Sequence, residues 1–486
     1  MVPPETIARH QTAIQRTDFS RPIRIALETH VIGPETSVLD YGCGRGGDVG
    51  RLEKAGIDCV GWDPHYRPNA PRNPADVVNL GFVLNVIEDP EERDQVLRDA
   101  WRLAERVLLV ATRPTYEARD EGGRPYGDGI LTERGTFQRF FEQSELRAWV
   151  EKVLGVVPVS VEPGIVFLFR EEEDRYGFQA TRIRRISHRP RVRQADQLYE
   201  AHEEQFTALL DFYSDRGRPP KPTELVEGDR LAQEVGSIGR AVQVLRRVHG
   251  SEELEGIEAG RREDLLVFLA LDRFGGRARF SDFPDRLRWD IRAHFSSYKQ
   301  GCEESDDLLF ALGNPLRVEA ECRDSPIGKL TPDGLYIHRS ALDQLSPTLR
   351  VYEGCARSLL GEMEDANIIR LGRKQPKVSY SAYPAFNEDP HPALAWSYLV
   401  DLQKLKATFR EYRDSENPPI LHRKELFLSP VHPDYAKFQR VTQSEVRHGL
   451  LDEPHRIGHQ RGWDNRLEGM GWELRGHRLV RRKTPS

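Results

Sequence analysis

The stretch Ser37-Val-Leu-Asp40-Tyr-Gly42-Cys-Gly44-Arg-Gly46-Gly47 decides how the first third of the chain is read. A short apolar run ends on an acid, and glycines then crowd a turn. Beyond the turn Val49 and Leu52 stand three apart, on one face of a predicted helix. The pattern then repeats. Cys59-Val-Gly-Trp-Asp63 is a second apolar run ending on an acid, and Ala75–Leu80 and Val107–Ala111 are further Val- and Leu-rich runs of the kind that sheets covered on both faces require. Between these last two, Asp89-Pro90-Glu91-Glu92 reads as a helix start, with Asp89 at the N-cap, Pro90 at the first helical position and Glu92 placed to close a capping box. Val96, Leu97, Ala100, Trp101 and Ala104 follow at helical spacing. Strand, crossover helix and strand in alternation predict a parallel sheet with helices on both faces. Val156–Val161 and Ile165–Phe169, around Glu162-Pro-Gly164, predict an antiparallel hairpin at its edge. The fold class expected here is α/β.

Outward from this region the composition changes. Arg182, Arg184, Arg185, Arg189, Arg191 and Arg193 follow one another with no acid between them. The expected organisation is an α/β domain over residues 1–180, a basic linker over 181–196, a helical domain over 197–295 and an α+β region over 296–486. The 486 residues carry 71 Lys and Arg against 77 Asp and Glu, a net charge of −6, so any nucleic-acid surface must be a local patch. Five cysteines without a CxxC pair argue against a disulfide framework and a cysteine-rich zinc site, and suit a reducing compartment. No run approaches 18 apolar residues and the first twenty lack an apolar signal region, so a cytoplasmic chain with no membrane partner is expected. No metal site is expected: His391 and His422, with Asp389 and Glu425 nearby, lie among prolines and lack metal-binding spacing.

Two ligands suit a glycine turn between a strand and a helix. Gly42, Gly44 and Gly47 match the GxGxxG spacing that seats a dinucleotide pyrophosphate, whereas Asp40, Gly42, Gly44 and Gly46 match a DxGxG loop that holds S-adenosylmethionine (SAM). Charge separates the two. A pyrophosphate is disfavoured beside the Asp40 carboxylate, while the ammonium and sulfonium groups of SAM are favoured there. Asp63 suits ribose hydroxyls in either case.

At these residues the chain resembles the class I SAM-dependent methyltransferases and, more narrowly, the family of DNA phosphorothioation-associated methyltransferases. The narrower resemblance rests on His10-Gln-Thr-Ala-Ile-Gln-Arg16, Leu39-Asp-Tyr-Gly-Cys-Gly-Arg-Gly46, Gly61-Trp-Asp-Pro-His65, Asp76-Val-Val-Asn-Leu80, Val83-Leu-Asn-Val-Ile-Glu-Asp-Pro90 and Gly135-Thr-Phe-Gln138. It continues in Leu371-Gly-Arg-Lys-Gln-Pro376, Asp389-Pro-His-Pro-Ala-Leu394 and Ser415-Glu-Asn-Pro-Pro-Ile-Leu-His-Arg-Lys-Glu425. It implies a Rossmann-like N-terminal domain and a SAM enzyme of the bacterial DNA sulfur-modification system, with that system's proteins, DNA or RNA as partners. It also implies that Asp40, Gly42, Gly44 and Gly46 contact the methionine part of SAM, that Asp63 binds its ribose, and that Asn79 and Leu80 stand where cofactor and substrate meet. Only twelve residues separate Asp63 from Asp76, too few for the helix and strand that usually carry an adenine-contacting acid, so either Asp76 itself or a neighbouring loop substitutes, or the adenine is held loosely.

The acceptor is less legible. Asn79-Leu-Gly-Phe82 lacks the (D/N)PP(Y/F) motif of amino-adenine methylases, and no cysteine follows the strand as cytosine C5 chemistry requires. Asn417-Pro-Pro-Ile420 imitates that motif in a distant region and reads as a turn. A sulfur or exposed oxygen acceptor stays open, because in-line transfer to it needs positioning more than a base. Asn79, Asp128 and Gln138 are the catalytic candidates. Arg182, Arg184 and Arg185, with Arg373-Lys374 and Arg423-Lys424, are the candidate phosphate contacts. The alternatives are a non-catalytic SAM-binding or nucleic-acid-binding component of a modification or restriction complex, and a nicotinamide oxidoreductase, which Asp40 disfavours.

Overall fold

The computed structural model describes residues 7–13, 16–185, 190, 196–221 and 223–482. The apolar run becomes strand β1 (Val38–Tyr41), buried at every position. It pairs in parallel with β2 (Cys59–Trp62) on one side and β3 (Ala75–Gly81) on the other, so that Asp40 faces Gly61 and Asn79 across the ladder. Strand β4 (Ala104–Ala111) lies parallel beyond β3. The hairpin Val159–Glu162 and Ile165–Phe169 closes the sheet antiparallel to β4, its second strand innermost.

Helices cover both faces, as the burial of consecutive strand residues demands. On one face Val38, Val77, Val107 and Leu109 pack with Ile23 of α1 (Arg21–Glu28), Leu52 of α2 (Gly47–Lys54) and Phe178 of α5 (Glu172–Ile183). On the other, Leu39, Val78, Leu80 and Leu108 pack with Leu97 and Ala100 of α3 (Pro90–Leu103) and with Leu146 and Val150 of α4 (Gln143–Leu154). This is a Rossmann-like parallel core. Asp89 caps α3 by accepting the Glu91 N–H, with Pro90 in the first turn. Glu92 departs from the expected capping box: its carboxylate receives two hydrogen bonds from Arg9, at 2.6 and 2.7 Å.

The helical portion extends past residue 295. After α5 come helices from Gln197–Ala201 to the 25-residue Ser251–Gly275, then Asp285–His294, Tyr298–Ala311 and Pro315–Asp324. A second six-stranded sheet follows, wholly antiparallel, from Lys329–Leu330 to Lys406–Glu411, with sequence neighbours adjacent in the sheet. Its strands Lys377–Ala382 and Trp396–Asp401 alternate buried and partly exposed residues, and its inner face packs on the helix Pro347–Leu360. Helix Tyr435–Arg447, helix Gln460–Gly469 and a terminal hairpin end the described chain. Among the described residues no helix is long and apolar enough to cross a membrane.

Buried ion pairs join these parts. Asp264, on the long helix, accepts from Arg261 at 2.8 Å and from Arg350 of the Pro347–Leu360 helix at 2.8 Å; Arg350 also donates to the Ile183 carbonyl at the end of α5. Asp290 receives Arg216 at 2.9 Å and Arg218 at 2.7 Å. Removing one member of such a cluster leaves uncompensated charge in a low-dielectric setting. Asp264→Ala, which strands Arg261 and Arg350, is expected to lower unfolding free energy by about 3–5 kcal/mol in denaturant titration.

Candidate functional site

In an open sheet whose strand order reverses, the crevice lies outside the carboxyl ends of the strands on either side of the reversal. Here β1 is followed by β2 toward one edge and by β3 on its other side, so the crevice opens at the ends of β1 and β3. The glycine turn occupies that place. Gly42, Gly44 and Gly46 adopt φ of +85°, +53° and +75°, conformations that side chains resist. They also admit close neighbours: a Cβ at 42 would overlap the Val83 side chain, and one at 46 the Arg67 guanidinium. Gly46 ends the turn as the N-cap of α2, whose first N–H groups receive no side-chain cap.

Asp40 is buried beneath the turn and accepts a hydrogen bond from Asn79 Nδ2 at 2.8 Å. Burial pushes the Asp40 carboxyl up to about 7, against the opposing pull of that hydrogen bond. Asn79 Oδ1 is buried with no donor, although buried acceptors are nearly always satisfied. The crevice therefore holds an acidic group and an unpaired acceptor side by side, a set of acceptors suited to an ammonium group. The uncapped helix start alongside suits a carboxylate. These residues fit the two charged ends of an amino acid, the methionine part of SAM.

Asp63, just past β2, braces the turn. Its Oδ2 accepts the Gly44 N–H at 3.0 Å, and its Oδ1 accepts those of His65 and Tyr66 at 2.8 Å each. Asp76 stands elsewhere. At the opposite, amino end of β3, it binds the Ser37 N–H and hydroxyl at 2.8 and 2.7 Å, which hold its carboxyl below the usual range. The expectation that it touches adenine is corrected by that position, because the first and last thirds of a seven-residue strand face opposite ends of the sheet. No helix or strand lies between Asp63 and Ala75, and β2 forms the sheet edge. The Leu80 side chain is buried in the core, so only its backbone borders the crevice.

The catalytic candidates gather beside the segment after β3. Gln138 is buried and its Oε1 accepts from Asn85 Nδ2 at 3.0 Å, while Asn85 Oδ1 has no partner. Asp128 is gripped by Arg93 at 2.5 Å and by Arg139, so it is an ion-paired carboxylate rather than a free base.

Three features escaped the sequence reading. Phe82, at the end of β3, has φ +61°, a strained value for an aromatic residue, and Arg16 lies 5.2 Å from its ring. Arg67 lies over Gly46. The segment Arg9–Ala13 crosses the turn: Arg9 pairs with Glu88 at 2.8 Å, His10 stacks on His65 at 4.1 Å, and Ala13 closes on Gly44. The segment His10–Arg16 was the available signal, but a motif without a spatial neighbour has no role to assign; its Ile14 and Gln15 lie outside the described residues.

The phosphate-contact candidates are engaged internally. Arg182 binds the Ser160 and Val161 carbonyls and Glu362, Arg184 binds Asp215, and Arg185 binds Glu263. Arg189, Arg191 and Arg193 lie outside the described residues. Arg373 is held by Glu319 and the Thr331 carbonyl. Lys374 is exposed and Arg423 partly so. Lys424 is buried, donates to the Phe386 and Asp389 carbonyls and sits 3.7 Å from the Phe438 ring centre; burial pulls its ammonium down to about 7. The proposed anion surface thus loses Lys424. His391 bonds Glu445 at 2.6 Å in the core.

No protein-family model matches this sequence, and no curated protein resembles it significantly. Among solved structures, the chain is similar to the 1,6-didemethyltoxoflavin-N1-methyltransferase of Burkholderia thailandensis with bound 1,6-didemethyltoxoflavin and S-adenosylhomocysteine, at 16% identity over 34% of this chain and 79% of that one, TM-score 0.24. The magnesium protoporphyrin IX methyltransferase of Synechocystis PCC 6803 with bound SAM matches at 17% identity over 31% and 76%, TM-score 0.22. An O-methyltransferase family protein from Burkholderia thailandensis matches at 15% over 30% and 56%, TM-score 0.22.

The Asp40 carboxyl has a direct stability signature. Its folded value of about 7 lies above the unfolded value of 3.8, so the native state holds the proton more tightly and loses stability as pH rises between the two. Asp40→Asn is expected to leave unfolding free energy nearly unchanged near pH 4 and to raise it at pH 8, by an upper bound of about 4 kcal/mol, in denaturant titrations at the two pH values.

Proposed function

We propose that the N-terminal domain binds SAM at the ends of β1 and β3 and that the chain is a SAM-dependent methyltransferase of the bacterial DNA phosphorothioate-modification system. The observation that carries the cofactor assignment is the buried Asp40–Asn79 pair with its unsatisfied acceptor, under a turn of left-handed glycines. Asp40 and Asn79 Oδ1 take the ammonium group. The α2 N-terminus and Arg67 face the methionine carboxylate, and Asp63, already holding Gly44, keeps lone pairs for ribose hydroxyls. A dinucleotide would place its pyrophosphate beside Asp40, which disfavours that reading.

When bound, SAM supplies a methyl group activated by positively charged sulfur. The chain's own part is then to aim an acceptor lone pair at that carbon and exclude water. Asn85 and Gln138 offer amide donors and acceptors after β3, and Asp128 orders Arg93 and Arg139 beside them. This set positions an acceptor without a free base, which suits a nucleophile with no proton to lose, such as a sulfur or phosphate-borne oxygen of modified nucleic acid. The link to phosphorothioate modification rests on the sequence segments shared across both halves of the chain. The same lack of a free base favours a second reading, a regulatory component that binds SAM without turnover.

Methyl-labelled SAM offered to phosphorothioated and unmodified DNA, RNA and host protein separates the two readings: label incorporation supports the enzyme, and tight SAM binding without incorporation supports the regulator. In calorimetry, Asp40→Ala is expected to weaken SAM binding at least tenfold, about 1.4 kcal/mol. Because a cationic ligand favours ionised Asp40, affinity for SAM should rise from pH 6 to pH 8 with proton release and level off above about 7. Asp40→Asn should remove that pH dependence, and its persistence would displace the ammonium from this carboxyl.

A further inference from the structure

A cavity of about 140 Å³ lies where α4, α5, the long helix Ser251–Gly275 and the helix Pro347–Leu360 meet. None of its lining residues belongs to the glycine crevice. Four guanidinium groups line it, from Arg147, Arg175, Arg182 and Arg357, against one carboxylate, Asp272. The rest of the wall is largely apolar, including Phe268.

Three of the four cations have counter-charges behind the wall. Arg182 and Arg357 share Glu362, at 3.2 and 3.4 Å, and Arg175 pairs with Glu172. Arg147 differs. Among the described residues its guanidinium has no ion-pair partner, and its Nε is buried without an acceptor. The Arg175 Nε is likewise buried and unbonded. Burial disfavours the charge on Arg147, and among the described residues Glu151, beyond ion-pair distance, is the carboxylate that opposes this loss. The Arg147 side chain is partly exposed at the cavity wall, but its Nε is buried without an acceptor, and a buried donor left unpaired costs stability that a bound acceptor restores. A planar guanidinium fork matches the oxygens of a tetrahedral phosphate, while Arg182, whose fork is taken by the Ser160 and Val161 carbonyls, adds charge to the wall; ligand sites favour interfaces between domains.

We propose that this cavity binds a phosphate group, free or as the end of a mononucleotide, with Arg147 as its unshared cation. The ligand would tie the α/β domain to the C-terminal portion, because its four arginines come from α4, α5 and the Pro347–Leu360 helix. The site is independent of the cofactor reading.

The test uses the full chain at fixed ionic strength, titrated with about 10 mM inorganic phosphate or AMP and with chloride as control, followed by thermal melting and calorimetry. Phosphate or AMP should raise the melting temperature by a few degrees, and the arm that binds more tightly identifies the source. Arg147→Met should raise the melting temperature of the ligand-free protein, since it removes an unpaired cation. It should also weaken anion binding at least tenfold and leave SAM affinity unchanged. A cation that is only structural would not invert in this way. If neither anion shifts the wild-type transition, or if Arg147→Met binds as the wild type does, the proposal is overturned. Arg147→Lys, which keeps the charge and loses the fork, should retain part of the response, so a folding defect in one variant does not hide the result.

Discussion

The reversal of strand order between β1 and β3 is the constraint from which the site follows. Parallel strands require crossover helices, and when the chain turns to opposite sides of β1 the two crossovers diverge, leaving their carboxyl ends uncovered. The polar pair Asp40 and Asn79 sits in that split, at one level of the β1–β3 ladder. Elsewhere in the strand layer neighbouring positions are filled by Val and Leu. An acid and an amide at the mouth of the sheet, one with its carboxyl raised by burial and the other with an acceptor unpaired, make that split a binding place rather than a packing fault.

The chain meets its structural needs with arginine. Arg261 and Arg350 converge on Asp264, Arg216 and Arg218 on Asp290, and α5 feeds Arg184 into the neighbouring Asp215. A guanidinium reaches several acceptors in fixed directions, so one side chain can link two helices and a carbonyl. This explains why a run of arginines that looks like a solvated linker holds the domains together in its described part. It also makes Arg147 conspicuous, a cation of the same kind without an ion-pair partner among the described residues.

Much of the α/β domain was legible because its signals are local. Apolar runs ending on Asp40 and Asp63, the Asp89-Pro90 helix start and the turn between Val161 and Ile165 each need only neighbouring residues to specify backbone geometry. The site was legible in part. Asp40 and the glycines declare themselves by spacing, but Asp76 was misplaced because sequence distance from Asp63 says nothing about which end of a strand a residue occupies. Glu92 was given to a capping box when Arg9, more than eighty positions away, competed for it with a charge-assisted bond. Lys424 read as a surface cation although the surrounding carbonyls and the Phe438 ring enclose it.

By itself the sequence determined the alternation of strand and helix, the left-handed glycine turn and the acid beneath it, since these depend on local sterics and hydrophobic period. Only the tertiary structure decided that Asn79 would meet Asp40, that Asp128 would be neutralised by Arg93 and Arg139, and that the Arg147 Nε would be enclosed without an acceptor. Those outcomes depend on which distant side chain reaches a buried polar group first, and desolvation assigns that choice only once the chain has closed around it.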